Sequence, residues 1–117
     1  MNPLSPTTPS LYERLLAISR EAHERGQHET AYHALTAAMH AADDAADIGA
    51  LVVVRREAEA QIAAIDRDTP EHRLSTRSAA RHQHPGVYAM LVRQAGMHVG
   101  MHEVRELPGT SGSPMPQ

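Results

Sequence analysis

His98 and His102 stand four residues apart, with Met97 and Met101 beside them, near the end of a chain of 117 residues. On a helix that spacing puts both imidazoles on one face, where they would share a transition metal. The neighbouring thioethers would lean the preference toward copper, with nickel or zinc as alternatives. His82 and His84 offer a second pair and Glu103 an oxygen ligand. Gly96 and Gly100 flank the first pair, and glycine disfavours the helix this geometry needs. The competing reading is a surface rich in histidine by composition, since nine of the residues are His.

Arg73, Arg77 and Arg81 recur at steps of four in a stretch, His72–His84, that holds no acid. As a helix it would present a basic stripe able to lie along phosphates or to grip an acidic surface, with Ser75, Thr76 and Ser78 as added donors. No aromatic residue interleaves the arginines and the remainder of the chain is acidic, which speaks against nucleic acid. The stripe reads otherwise as a solvated linker, or as a segment that docks on Asp43, Asp44 and Asp47. His33 and His40, seven apart on the second helix, with His23 on the first, fall on the outer face opposite the Ala seam and suit solvated surface or partner contact. Tyr12 and Tyr32 would anchor such an interface at low entropic cost.

Catalysis finds little support. Cysteine is absent, which excludes disulfides, thiol catalysis and cysteine-ligated metal centres. No acid, nucleophile and His recur in the spacing of a triad, and no phosphate-binding loop, dinucleotide fingerprint or zinc-protease motif is present. Lysine is also absent, and all eleven basic residues are Arg. With abundant Ala and His, this fits the codon bias of a GC-rich bacterial genome. The opening residues lack the basic and apolar regions of a secretion signal, and no run approaches the ~20 apolar residues of a membrane span. A cytoplasmic protein is the expectation.

The elements that must position these residues are helical. Phe and Trp are absent and Tyr12, Tyr32 and Tyr88 are the only aromatics, so the core must be built from Leu, Ile, Val, Met and Ala. Residues 1–9, with three prolines, read as an extended arm. Ser10 and Glu13 form a capping box, and Leu11, Leu15, Ile18 and Ala22 mark one face of a helix from about Ser10 to Arg25. Gly26 suits its left-handed close. A second helix, about His28–Ala42, buries Ala31, Leu35, Ala38 and Ala42, with Ala34 and Met39 beside them. A third, about Ala45–Asp66, turns Ile48, Leu51, Val52, Ala58, Ile62 and Ile65 inward. The Leu51–Val54 run is dense enough to suggest a homodimer seam.

Charge changes near Thr69–Pro70: residues 1–71 hold twelve acids and six Arg, and residues 72–117 five Arg and two acids. Beyond that point we expect a basic connector that is loop or frayed helix over 72–84. A short helix over Val87–Ala95 should follow, then a strand or irregular segment from Met97 to 107. Residues 108–117 should be a disordered tail. The organisation is thus a three-helix bundle over 10–68 followed by a less regular 69–107.

Gly26, Ala31, Leu35 and Ala38, with Leu15, Ile18 and Ala22 before the turn, resemble the helical hairpin of a tetratricopeptide repeat over about Leu15–Asp43. Leu15 stands where that repeat has an aromatic, Ala22 where it has Tyr, and Asp43 near its closing Pro. Ala60 occupies the place of Gly26 one period on, so no second copy is expected. The resemblance implies a mainly α, small helical bundle built on a repeat-like hairpin plus a long third helix. It also implies a non-catalytic protein–protein interaction module or adaptor with a protein partner. The alternatives from other classes are a His/Met-rich metal-binding protein at His82, His84, His98 and His102, and a nucleic-acid accessory protein using the Arg stripe.

Overall fold

The computed structural model describes residues 8–106. Most of the expected arm, and all of the expected tail, lie outside the described residues. Helix α1 spans Leu11–Glu24, α2 His28–Asp44, α3 Ile48–Asp68, α4 Thr76–Arg81 and α5 Val87–Glu106. Helix α1 packs along α2, α5 packs along α3, and α2 joins the two pairs. The α3–α5 pairing is antiparallel: Tyr88 meets Gln61, Gly96 lies near Arg55, and Val104 shares a groove with Ile48. The architecture is a mainly α bundle of two helical hairpins, and the described residues contain no strand.

Two of the interhelix turns are alike. After α1 the chain passes through Arg25, Gly26 (φ 76) and Gln27, and after α2 through Ala45, Ala46 (φ 53) and Asp47. In the first, Gln27 N–H donates to the Ala22 carbonyl and Gly26 N–H to that of His23, at 2.8 and 3.0 Å. In the second, Asp47 N–H donates to Ala42 and Ala46 N–H to Asp43, at 3.0 and 2.9 Å. Both are Schellman closures, which require a left-handed residue at their centre. Glycine supplies it in one, and Ala46 is forced into it in the other. The third helix therefore starts at Ile48 and not at Ala45, capped by Asp47, whose Oδ1 accepts the Ala50 N–H at 3.0 Å.

The core corrects the expected face of α1. The capping box at Ser10 and Glu13 forms, but Leu11 and Ile18 are 57% and 50% exposed, and Leu16, Ser19 and Ala22 are buried. The helix is rotated because Ser19 has a partner inside. The Ala31–Leu35–Ala38–Ala42 seam of α2 is buried as expected, together with Met39. On α3, Leu51 and Val54 are wholly enclosed. Between them in the run read as a dimer seam, Val52 and Val53 are half-buried. Tyr88, Leu91 and Ala95 of α5 belong to the same cluster.

The C-terminal third is more regular than its composition suggests. Helix α5 continues from Val87 to Glu106 through Gly96 and Gly100, so the expected strand or irregular segment after Met97 is helix. Two helical glycines cost about 1 kcal/mol each relative to Ala. Burial of Tyr88, Leu91, Ala95 and His102 along one face of the same helix outweighs that cost. In the connector, Ser75 caps α4 by accepting the Ser78 N–H at 3.0 Å, where a loop or frayed helix was expected.

A buried polar network joins four of the helices. Tyr88 Oη donates to Gln61 Oε1 at 2.6 Å, Gln61 Nε2 donates to Ser19 Oγ at 3.0 Å, and Ser19 Oγ donates to the Ala31 carbonyl at 2.7 Å. The second amide hydrogen of Gln61 reaches Glu57 at 3.1 Å, and Glu57 also accepts from Arg20 Nε at 2.9 Å. Among the described residues no buried side-chain nitrogen or oxygen lacks a partner.

Two stability measurements follow. Gly26→Ala should destabilise by about 1 kcal/mol and Ala46→Gly should stabilise by about 0.5–1 kcal/mol, since each changes which residue bears the left-handed φ. Urea unfolding midpoints check the signs. Tyr88→Phe, which orphans Gln61 Oε1 in the core, should cost about 1–3 kcal/mol by the same assay.

Candidate functional site

The charged cluster around Asp43 is built where a helix ends. Asp43 and Asp44 lie in the last turn of α2, where the helix dipole disfavours negative charge. Helix α5 relieves this at Asp43. His102 Nε2 donates to Asp43 Oδ1 at 2.8 Å, and His98 Nδ1 lies 3.1 Å from the same oxygen. The spacing of four brings both imidazoles to one face of a helix, but one carboxylate oxygen already occupies the space between them. The hydrogen bond from His102 holds the Asp43 carboxyl below its usual pKa, and the charges of His98, His102 and Arg105 add to it against a smaller effect of burial.

The other residues expected to bind metal lie apart from this clip. His82 Nδ1 is 2.8 Å from the Ser78 carbonyl, and His84 Nδ1 accepts the Gly86 N–H at 2.8 Å. Both rings are exposed and organise the turn between α4 and α5. Among the described residues no set of three or more His, Asp or Glu side chains is arranged to hold a metal ion.

The arginine stripe is broken by the fold. Arg73 precedes α4 and pairs with Glu29 on α2. Arg77 and Arg81, on α4, both reach Glu71, at 2.6 and 3.1 Å. These bonds, Arg77's first, hold the Glu71 carboxyl below its usual pKa. The acid that pairs with Arg77 and Arg81 stands just before the acid-free stretch, and the expected docking on Asp43, Asp44 and Asp47 does not occur.

Tyr12 and Tyr32 are used inside the bundle. Tyr12 packs against the core and its hydroxyl donates to the Ala50 carbonyl at 3.3 Å. Tyr32 meets Tyr88 edge-on, with ring centroids 5.6 Å apart. His33 and His40 are exposed as expected, and His33 leans on Tyr32.

A cluster that the sequence did not signal gathers His23, His28 and His72. His23 ends α1, His28 begins α2, and His72 arrives from the connector. The Nδ1 atoms of His23 and His28 are 3.2 Å apart, and the rings of His28 and His72 meet edge-on at 4.9 Å. His72 Nδ1 accepts the Leu74 N–H at 3.0 Å, which fixes the ring. Burial, then the neighbouring His23 and His72, push the His28 pKa down. A cleft of about 230 Å³ opens beside the cluster, lined by His23, Glu24, His28, Arg67, Asp68 and Thr69 among others.

Among the described residues, four exposed large apolar side chains lie on α5. Met90, Met97, Met101 and Val104 are 40%, 59%, 52% and 59% exposed. Their spacing of seven, four and three places them on the face opposite Tyr88, Ala95 and His102. Only Met97 and Met101 drew notice in the sequence, as companions of histidines. With this segment read as irregular, no stripe could be drawn through Met90 and Val104.

Comparison of the chain with protein-family models, with curated proteins and with solved structures finds no match in any of the three. Among the described residues no helix is long and apolar enough to cross a membrane.

Stability should fall in two steps on acidification. His28 has a lowered pKa in the fold, so the unfolded chain binds more protons below pH 6.5, and stability present above that pH is lost as pH falls through the folded value. Asp43 is also lowered, so its contribution, present above pH 3.8, is lost only as pH falls below that value. Urea midpoints between pH 8 and 3 check this. His28→Gln should flatten the first step and Asp43→Asn the second.

Proposed function

We propose that this chain is a non-catalytic protein–protein interaction module that receives a helix of its partner on the outer face of α5. The observation that carries the reading is the stripe of Met90, Met97 and Met101, exposed on one side of a helix whose other side is fully used in the core. Exposed apolar side chains gathered on one helix face mark an interaction surface. Methionine side chains adapt to varied partner surfaces. A helix of 20 residues with one face exposed suits a second amphipathic helix laid along it.

The architecture supports the same reading. Two stacked helical hairpins with a small-residue seam are what a tetratricopeptide-like protein would show, with α4 and its flanking turns inserted into the second hairpin. Folds of that kind present helix faces to partners. A polar outer face normally closes the end of such a stack, whereas α5 offers methionines. The rival readings draw less support. The three arginines of the stripe are paired with glutamates of this chain, and His98 and His102 are engaged with Asp43.

The test is a pull-down from lysate of the source organism with the wild type, with Met97→Gln/Met101→Gln and with His33→Ala/His40→Ala. One partner protein should be retained by the wild type and the histidine variant. Its affinity for the methionine variant should drop by about ten- to a hundredfold, the loss expected for two buried side chains. Capture that ignores the methionines would end this reading.

A further inference from the structure

We infer that His23, His28 and His72 form a proton-sensitive latch. Neutral, they hold the connector between α3 and α4 on the start of α2; protonated, they release it while the bundle stays folded. The latch is a device of the connector and does not depend on the outer face of α5.

The connector has few other means of staying in place. Helix α4 buries no residue, and in the segment before it Ser75 is buried and Leu74 half-buried against the core. Thr76 ties the start of α4 to α3, its N–H and hydroxyl donating to the Asp66 carboxylate at 2.8 and 2.6 Å. Toward α2 the connector reaches with Arg73, paired with Glu29, and with His72, whose ring stands edge-on to His28 at 4.9 Å. The Arg73–Glu29 pair is exposed, and such pairs hold weakly in water. Attachment to α2 therefore rests on the imidazoles, with Thr76 as the hinge that remains.

The geometry suits neutral rings. His23 and His28 face each other through Nδ1 atoms 3.2 Å apart, a gap that takes one hydrogen. One ring donates and the other accepts, so both cannot be imidazolium in this arrangement. His72 Nδ1 accepts the Leu74 N–H at 3.0 Å, and a proton on that nitrogen would set donor against donor. His28 also begins α2, where the helix dipole disfavours positive charge.

Neighbouring acids do not offset the added charge. The cleft beside the cluster is lined by Glu24 of α1 and by Arg67 and Asp68 of α3. Asp68 is engaged by Arg67 at 2.9 and 3.0 Å, Glu29 by Arg73, and Glu71 by Arg77 and Arg81. Glu24 is exposed, where water and salt screen it. Burial first, then His23 and His72, accordingly lower the His28 pKa in the latched state. The released state binds more protons, so the hold is complete above pH 6.5 and is lost as pH falls from there through the latched value.

The experiment is an NMR titration of the full chain, with isotope-labelled histidine and tyrosine, from pH 8 to 4.5. Ring carbon shifts report protonation, and cross-relaxation peaks between rings report contact. At pH 8 the His28–His72 and Tyr32–Tyr88 peaks should both be present. As His28 and His72 become charged the first should vanish and the second remain, because Tyr32 and Tyr88 meet edge-on at 5.6 Å in the core. His28→Phe keeps a ring that cannot be charged, and its contact with His72 should persist to pH 4.5. His82 and His84 share a second cleft with Arg73 and Leu74, so His82→Gln/His84→Gln is the control and should release as the wild type does. A His28–His72 peak that survives protonation of both rings, loss of both peaks together, or rings still neutral at pH 4.5 overturns the latch. So does a His28→Phe variant that releases at the wild-type pH, or release abolished by the His82/His84 change.

Discussion

The hydrogen-bonded chain Tyr88–Gln61–Ser19 is the constraint on which the bundle depends. It sets the rotation of α1, since Ser19 must face inward to reach both Gln61 and the Ala31 carbonyl. It sets the height at which α5 meets α3, since the Tyr88 hydroxyl has one acceptor, Gln61 Oε1, at 2.6 Å. In a core with no Phe or Trp and much Ala, apolar contact alone specifies register poorly, because small side chains slide past one another at little cost. A buried amide with every donor and acceptor used admits one arrangement. Pairing of the burial-sensitive groups thus supplies the specificity that large side chains supply elsewhere.

The same economy appears at the charged ends of the helices. Asp43 sits at the wrong end of α2 for the helix dipole, and α5 answers it with His102 and His98. Glu29 holds Arg73, and Glu71 holds Arg77 and Arg81, so the connector between α3 and α5 is tied back onto the bundle. Exposed pairs of this kind contribute little stability one by one, but they orient a segment that has few apolar side chains of its own. Arg73, Arg77, Arg81, His98 and His102, conspicuous in the sequence by their spacing, are paired within the chain.

What is left over on the surface is therefore informative. Helix α5 spends Tyr88, Leu91, Ala95 and His102 on the core and still carries Met90, Met97 and Met101 outward. Among the described residues, four of the six exposed large apolar side chains lie on the helix that the composition made hardest to foresee.

Local signals determined much of the fold. The Ser10–Glu13 capping box, the turn at Gly26 and the Ala31–Leu35–Ala38–Ala42 seam are each set by residues within a few positions of one another, where propensity and periodicity act directly. The helical class follows from them. Only the tertiary structure decided the rest, because the deciding partners are remote: Gln61 draws Ser19 inward from 42 positions away, and Asp43 meets His102 at 59. Burial of one face carries α5 through Gly96 and Gly100, which local propensity weighs against. The Schellman closure forces Ala46 into the conformation that marks Gly26. The histidine and arginine patterns were visible as types and spacings, but a spacing states only which groups share a face. What that face meets depends on the packing of a different part of the chain.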